Sequence, residues 1–361
     1  MKKISLIISV VLLTVFGCEQ SYIDEIQRVD PGQDVSAPTI NFNFPLDGTQ
    51  IRVVEDVTPI TINLEVNDDI EIKEVILSLN GQEIVRFDEF RDFRRAILEF
   101  TYEELPNGEH TIEARAVDMS DRVTVQAVNF EKIEPYRPIY DNEIFYAPFD
   151  GDFTELVRIK SPTVNGTGLG FADGKVGRAY RGSANGFLVY PAENLTNQEF
   201  SAVFWYKVNG DPNRAGLLVM SAPDAVNPAN PNFRAKGFRL FREAAGPNQR
   251  FKLNVGNGTG DNWFDGGAAA DINPADNEWS HIAITISQQM CTVYINGEIV
   301  SRGNYSGIDW ENCDIISVGS GAPRFVGWGH NSTQSLMDEL RIFDAELTQE
   351  QIQTIMQNEM N

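Results

Sequence analysis

Cysteine and histidine are scarce, with three of each in 361 residues. Cys18, Cys291 and Cys313 lack zinc-ligand spacing. His110, His281 and His330 are too few for a histidine-based catalytic or metal cluster. Basic residues are also short: 29 Lys and Arg stand against 52 Asp and Glu, a formal net charge of −23. With no basic patch to track a phosphate backbone, nucleic acid is excluded as a partner. The acidity favours solubility and leaves room for a calcium ion. After residue 17 no apolar run reaches the roughly 20 residues that span a bilayer. No Gly-x-Ser-x-Gly elbow occurs, and Gly256-x-Gly258-x-Gly260 lacks the strand–helix context of a phosphate cradle.

What is present begins with a leader. Lys2 and Lys3 precede the apolar run 4–16, and Gly17-Cys18 follow. This fits the charged and apolar regions of a secretory signal over 1–17. A Cys after a small residue resembles a lipobox, although bulky Phe16 departs from it. Cys18 is expected to be lipidated, and its acyl chains would anchor the chain stably. The alternative is an ordinary signal peptide with an incidental Cys. Residues 18–37 are polar, with Pro and Gly and no periodicity, and read as a tether.

Residues 38–134 then read as short strands between turns. Ile40, Phe42 and Phe44 alternate, as do Ile60, Ile62, Leu64 and Val66, then Val75, Leu77 and Leu79 before Asn80-Gly81, and Ile112, Ala114 and Ala116 after Pro106-Asn107-Gly108. About 95 residues of this pattern predict a β-sandwich. Pro45-Leu46-Asp47-Gly48-Thr49 and the strand 108–118 resemble the opening and a later strand of bacterial immunoglobulin-like repeats, which serve mostly as spacers. The Cys pair and Trp of antibody domains are absent from it. Residues 135–139, with two prolines, read as a short stiff linker.

Residues 140–361 are long enough for a two-sheet jelly roll with insertions. Ile282, Ile284 and Ile286 alternate in one strand, and the next runs through Tyr294 into Asn296-Gly297, a type I′ hairpin turn. The stretch 336–343 is a strand, after which the period changes. Thr348 is placed as a helix N-cap with Gln351 as its capping-box partner, and Leu347 and Ile352 occupy the hydrophobic-staple positions. Residues 201–208 form an inner strand. The stretches 221–236 and 256–277 read as loops. These closing segments, with Tyr146–Gly151 and Gly174–Ala179 near the start, resemble the laminin-G-like, concanavalin A-like jelly rolls of bacterial surface proteins over about residues 140–358. The resemblance implies an all-β chain: an N-terminal immunoglobulin-like β-sandwich, then a concanavalin A-like two-sheet jelly roll with a short C-terminal helix.

The same resemblance implies either glycosidase activity or sugar binding. Glycoside hydrolysis needs two facing carboxyl groups. The Glu-x-Asp-x-x-Glu pattern of the laminarinase-type relatives is absent. Asp338-Glu339, on opposite faces of a regular strand, cannot replace it. Relatives often carry one structural calcium, which points to Asp150 and Asp152 in the opening turn and Asp338 in the closing strand. Alternatively, Asp338 caps loop amides. Sugar binding calls for exposed aromatic rings beside planar donors. Trp205 and Trp279 lie in strands and read as core. Trp263, Trp310 and Trp328 sit among Asp, Asn and Gly, with Arg324, His330 and Asn331 beside Trp328. Each Trp either meets a ligand or plugs its loop onto the sandwich. Cys291 and Cys313 are either a disulfide, permitted by export, or two buried thiols.

The expected function is that of an outer-membrane surface lipoprotein, facing the cell exterior as Asp24-Glu25 suggests. It captures a polysaccharide or oligosaccharide without cutting it and works with an outer-membrane glycan transporter complex. A glycoside hydrolase or polysaccharide lyase on the same fold, and an adhesin that binds protein, are the alternatives.

Overall fold

The computed structural model describes residues 32–360. The leader 1–17, Cys18 and the tether as far as residue 31 lie outside them. Among the described residues no helix is long and apolar enough to cross a membrane. The chain divides into two compact units, each built on a β-sandwich.

The first sandwich comprises β1 (Thr39–Phe44), β2 (Thr49–Ile51), β3 (Val57–Asn67), β4 (Ile72–Leu79), β5 (Gln82–Phe87), β6 (Arg95–Pro106), β7 (Gly108–Asp118) and β8 (Val123–Lys132). One sheet runs β1-β3-β6 and the other β2-β8-β7-β4-β5. The alternation seen in the sequence sets the core. Ile60, Ile62, Leu64 and Val66 of β3 are buried, as are Val75, Leu77 and Leu79 of β4 and Ile112, Ala114 and Ala116 of β7. Asn80 and Gly81 both take positive φ, at 52° and 82°, as a type I′ turn requires.

The second sandwich is larger. Its front sheet runs β10-β13-β23-β15-β16-β17-β18, with β19 paired to β17. These strands are β10 (Thr163–Thr167), β13 (Asn185–Pro191), β15 (Arg214–Met220), β16 (Lys236–Ala245), β17 (Asn248–Asn257), β18 (Asp261–Asp265), β19 (Asp271–Ile272) and β23 (Ile315–Val318). Its back sheet runs β11-β12-β24-β14-β20-β21-β22, with β9 paired to β24. These are β9 (Glu143–Ala147), β11 (Gly170–Asp173), β12 (Arg178–Arg181), β14 (Phe200–Lys207), β20 (Trp279–Ile286), β21 (Met290–Ile295), β22 (Glu298–Asn304) and β24 (Leu336–Phe343). Between the sheets lies one core that includes Phe204, Leu240, Leu253, Ile282, Ile284 and Ile342.

The outer face of the back sheet is closed by α1 (Gln349–Asn358). The Thr348 side chain accepts from the Gln351 amide, and Gln351 reciprocates to the Thr348 amide, completing the capping box. Ile352 and Ile355 then pack with Val203, Ala283, Tyr294, Phe343 and Leu347. Beside the helix, Arg341 binds Glu143, Glu339 and Glu359 at 2.8–2.9 Å. The Tyr136 hydroxyl, from the stretch read as a linker, donates to Glu143.

β24 departs from the regular alternation expected of it. Glu339 has φ +53°, and the pairing with β14 slips between Val203 and Trp205. This bulge resets the alternation, so Met337 and Leu340 both face the core with two acids between them. Asp338 and Glu339 therefore do not simply project to opposite faces. Glu339 instead joins Arg341 and Tyr146.

Candidate functional site

Among the described residues the α-helix lies on the back sheet, and the front sheet keeps an outer face without one. In β16, Phe238 and Leu240 enter the core, which turns Arg239, Phe241 and Glu243 outward. In β17, Phe251, Leu253 and Val255 enter it, which turns Lys252 and Asn254 outward. The stretch 256–277, expected to be loop, contains the edge strand β18 and the short β19. A polar outer face on an edge strand reads as loop in sequence. Phe264 of β18 enters the core, so Trp263 and Asp265 point out.

Two loops lie over this face and zip together. The amide of Val326 donates to the Pro231 carbonyl at 3.0 Å, and that of Gly327 donates to Asn232 Oδ1 at 2.9 Å. A Cβ on Gly327 would meet Asn232 Nδ2 at 2.5 Å and Pro231 Cγ at 2.7 Å, so a side chain there would push the two loops apart. The contact brings Trp328 against Trp263: their rings stack with centroids 5.9 Å apart and planes 22° apart. Trp263 is 44% exposed and Trp328 40%, whereas strand residue Trp205 is 3% exposed. The guanidinium of Arg234 lies 4.6 Å from the centroid of the Trp328 ring and also pairs with Asp261. Phe241 meets Trp263 edge-on at 5.9 Å, and Phe325 meets Trp328 likewise. Arg214 donates to the Trp328 carbonyl at 3.0 Å.

His330 is the pin beneath this platform. It was expected to be free for a ligand, but it is fully buried. Its ring stacks on Phe325 at 4.8 Å, meets Phe241 at 4.4 Å, and lies 3.1 Å from Glu243 through Nε2. Glu243 also pairs with Lys252 and Arg214. The hydrogen bond with His330 leads the causes that hold the Glu243 carboxyl down to about 2. Lys252 pairs with Asp265 as well, whose carboxyl is lowered despite its partial burial.

The remaining sequence candidates divide. Asn331 is exposed, and its carbonyl accepts from Gly216. Arg324 is a strut, donating to the Ser221 carbonyl and pairing with Asp314. Trp310 plugs the sandwich: its Nε1 donates to the Asn197 carbonyl at 2.8 Å, and its ring packs on Phe200 and Phe238. It does not join the other two tryptophans, because its loop leads into the core. Arg234, Phe241 and Phe325 were missed. No local signal marks them, although alternation along β16 would have turned Phe241 outward.

Of the acids expected to hold calcium, Asp338 and Asp150 serve the turn between β11 and β12, and Asp152 serves its own loop. Asp338 Oδ2 accepts from the amides of Lys175 and Val176 at 2.7 and 2.9 Å, and its Oδ1 accepts from the Glu339 amide. Burial pushes its carboxyl up to about 8 against those three donors. Asp150 accepts from the Arg178 amide and Asp152 from that of Thr154. Asp150, Asp152 and Asp338 do not form a three-acid cluster with ligand atoms close enough to share an ion. The opening turn and closing strand do converge on one turn, but backbone amides occupy the convergence.

The two cysteines are buried free thiols, not a disulfide. Cys291 lies in β21 of the back sheet, whereas Cys313 precedes β23 of the front sheet and sits against Gly237. Burial pushes the Cys313 thiol up to about 12 and raises Cys291 as well, so both are unreactive. His281 is fully buried and held neutral by burial, with a pKa near 3. His110 is buried beside Asn80. Both are structural, as their strand positions implied.

Comparison with known proteins bears on the fold. Residues 181–353 match the concanavalin A-like lectin/glucanases superfamily, and residues 38–114 match the bacterial Ig domain. No curated protein sequence matches the chain significantly. Among solved structures, domain 4 of AbnA, an extracellular arabinanase from Geobacillus stearothermophilus, in complex with arabinotriose, is similar with a TM-score of 0.47 and 19% identity, over 60% of this chain and 99% of that one. The binding domain of botulinum neurotoxin serotype C1 gives a TM-score of 0.45 and 11% identity, over 61% of this chain and 53% of that one. The binding domain of Paraclostridial Mosquitocidal Protein 1 gives 0.42 and 17%, over 60% and 52%. This chain therefore spans about half the length of each toxin binding domain. The protein pairs a bacterial Ig domain with a domain of the concanavalin A-like lectin/glucanases superfamily.

Proposed function

We propose that the jelly roll binds carbohydrate, without cutting it, on the outer face of the front sheet at Trp263 and Trp328. The stacked, two-fifths-exposed indole pair is the observation that carries this reading. Sugars present apolar C–H faces that lie against aromatic rings. Large exposed aromatics otherwise cost hydrophobic free energy without return. The rings are already held by Phe241, Phe325, Arg234 and Arg214, so little ordering cost remains on binding. The superfamily match supports a saccharide as the ligand class.

The charges around the rings favour binding over hydrolysis. A general acid needs a raised pKa near the bond it protonates. Here Asp261, Asp265 and Glu243 are all ion-paired, and Glu243 is held near 2. With Cys18 as lipid anchor and the Ig domain as spacer, the protein would hold glycan at the outer face of the outer membrane, beside a glycan transporter. Many anchored copies would offset a weak single site.

Affinity electrophoresis against a panel of neutral and acidic polysaccharides tests the reading. The wild type should be retarded by at least one of them. Trp263→Ala with Trp328→Ala should weaken binding about 30-fold or more, as loss of a central aromatic anchor does. Absence of retardation by every glycan would overturn it. Release of reducing ends, or of unsaturated product, would replace it with an enzyme. Protein capture insensitive to sugar competition would replace it with an adhesin. Labelling with radioactive palmitate, lost in Cys18→Ser, tests the anchor, and protease shaving of intact cells tests the exposed location.

A further inference from the structure

Beside the two indoles lies an ion pair whose own partners leave it half used. The alternation in β18 that turns Trp263 outward also turns out Asp261, two residues and roughly 7 Å away along the strand. Asp261 Oδ2 pairs with Arg234 Nε at 3.2 Å and accepts from Asn254 Nδ2 at 2.7 Å. Arg234 Nη1 donates to the Asn232 carbonyl at 3.4 Å, and the guanidinium lies over the Trp328 ring. Among the described residues Asp261 Oδ1 accepts no hydrogen bond and Arg234 Nη2 donates none. Both side chains reach solvent, with 18% and 28% of their surface exposed. One acceptor and one donor are therefore left over at the edge of the platform.

Neither group is free to swing. Asn254 is fully buried, and its Nδ2 also donates to the Asn262 carbonyl at 3.2 Å. Arg239, fully buried beneath the loop, donates to the carbonyls of Arg234 and Phe233 at 3.0 and 2.8 Å. It thereby fixes the backbone that carries Arg234, so the pair is set before a ligand arrives. The charges around the rings also cancel. Arg234 has Asp261, while Arg214 and Lys252 share Glu243 and Asp265. The chain as a whole carries −23. A sugar carboxylate or sulfate would meet no uncompensated cation here, and a repelling field on approach. An uncharged sugar meets neither obstacle.

We propose that Arg234 and Asp261 read two neighbouring hydroxyls of a neutral sugar whose apolar face lies against the indoles. One hydroxyl donates to Asp261 Oδ1 and the next accepts from Arg234 Nη2. This rests on the reading of Trp263 and Trp328 as a carbohydrate platform, and adds to it the ligand class and the residues that select it. Hydrogen bonds with one ionised partner are the stronger kind. A site built to bond hydroxyls also rejects a sugar that lacks them, because its own polar groups are then left unpaired. The indoles supply contact area, and the ion pair supplies the choice among sugars.

The test is affinity electrophoresis of the full-length chain in gels holding galactomannan, xyloglucan, arabinan, polygalacturonate or methyl-esterified polygalacturonate. The wild type should be retarded by a neutral polymer, equally at about 0.05 and about 0.5 M sodium chloride, and should pass polygalacturonate freely. Arg234→Met and Asp261→Asn should each weaken the retardation about tenfold or more, as loss of a hydrogen bond to a charged group does. Asp261→Asn leaves the guanidinium over Trp328, so its near-ultraviolet circular dichroism and melting temperature should stay those of the wild type. If Arg234→Met disturbs the indoles, Asp261→Asn decides. Retardation by polygalacturonate at least as strong as by any neutral polymer, or retardation abolished by salt, would overturn the proposal and leave a carbohydrate site standing. So would unchanged retardation in folded Asp261→Asn when Trp263→Ala with Trp328→Ala has lost it. Retardation by none of the polymers would overturn both readings.

Discussion

The two outer faces of the jelly roll have been finished in opposite ways. On the back sheet, α1 lays Ile352 and Ile355 onto Val203, Ala283 and Phe343, and Arg341 gathers three carboxylates beneath its end. On the front sheet the described residues place a small apolar cluster, Val219, Phe241 and Phe325, topped by two exposed indoles. A face closed by a helix stabilises the fold by burying apolar area. A face closed by a thin layer of held aromatics can do this and also meet a ligand. The contrast also separates three tryptophans: Trp310 is partly buried and packs inward against the core, while Trp263 and Trp328 face outward as platform.

The sharpest way to break this contrast is to remove Arg341, which holds three carboxylates on the back face. Arg341→Met would strand Glu143, Glu339 and Glu359 in a buried site, and burial already raises Glu339 to about 7. We expect a loss of about 3–5 kcal/mol in urea unfolding, the usual result of removing one partner of a buried ion pair. Trp310→Ala should follow, at about 2–4 kcal/mol, below the full range for a core tryptophan because the ring is only partly buried, with glycan retardation unchanged. Loss of retardation in a folded Trp310→Ala protein would return that residue to the site. Ile352→Ala should cost about 2–4 kcal/mol through the cavity it leaves under α1, again without effect on binding. Trp328→Ala should do the reverse: less than about 1 kcal/mol in stability, as for an exposed side chain, with retardation weakened.

The smallest effect lies in pH. Glu243 has a folded pKa near 2, below its ordinary 4.5. Its contribution to stability is therefore complete above about 4.5 and is lost as pH falls towards 2. Glu243→Gln should flatten the acid limb of a melting-temperature profile between those values and cost about 1 kcal/mol at neutral pH, the worth of a typical hydrogen bond. An unchanged acid limb would show that the His330–Glu243 contact does not support the platform.

Much of this was legible in residue order because it is local. Alternating Ile282, Ile284 and Ile286 fixed one face of β20 in the core, and Asn296 and Gly297 supplied the two positive φ angles of the following turn. Thr348 and Gln351 set the start of α1 within a single turn of chain. The site was half legible. Trp263 and Trp328 stood out as large rings in polar surroundings, but Trp310 did too, and composition cannot distinguish a ring facing solvent from one facing a core. His330 looked free because its partners Phe241 and Glu243 come from β16, nearly ninety residues earlier in the chain. The β24 bulge has no sequence signature at Glu339, which is not a residue favoured at positive φ.

Sequence alone determined the strand periods, the tight turns, the helix cap and the acidic balance, since each depends on neighbours a few residues apart. Tertiary structure alone decided which tryptophans meet and which acids are spent on backbone amides. Those outcomes depend on contacts between segments up to a hundred or more residues apart, such as Asp338 on Val176 or Gly327 on Asn232. Only the packed sheets bring such segments to hydrogen-bonding distance.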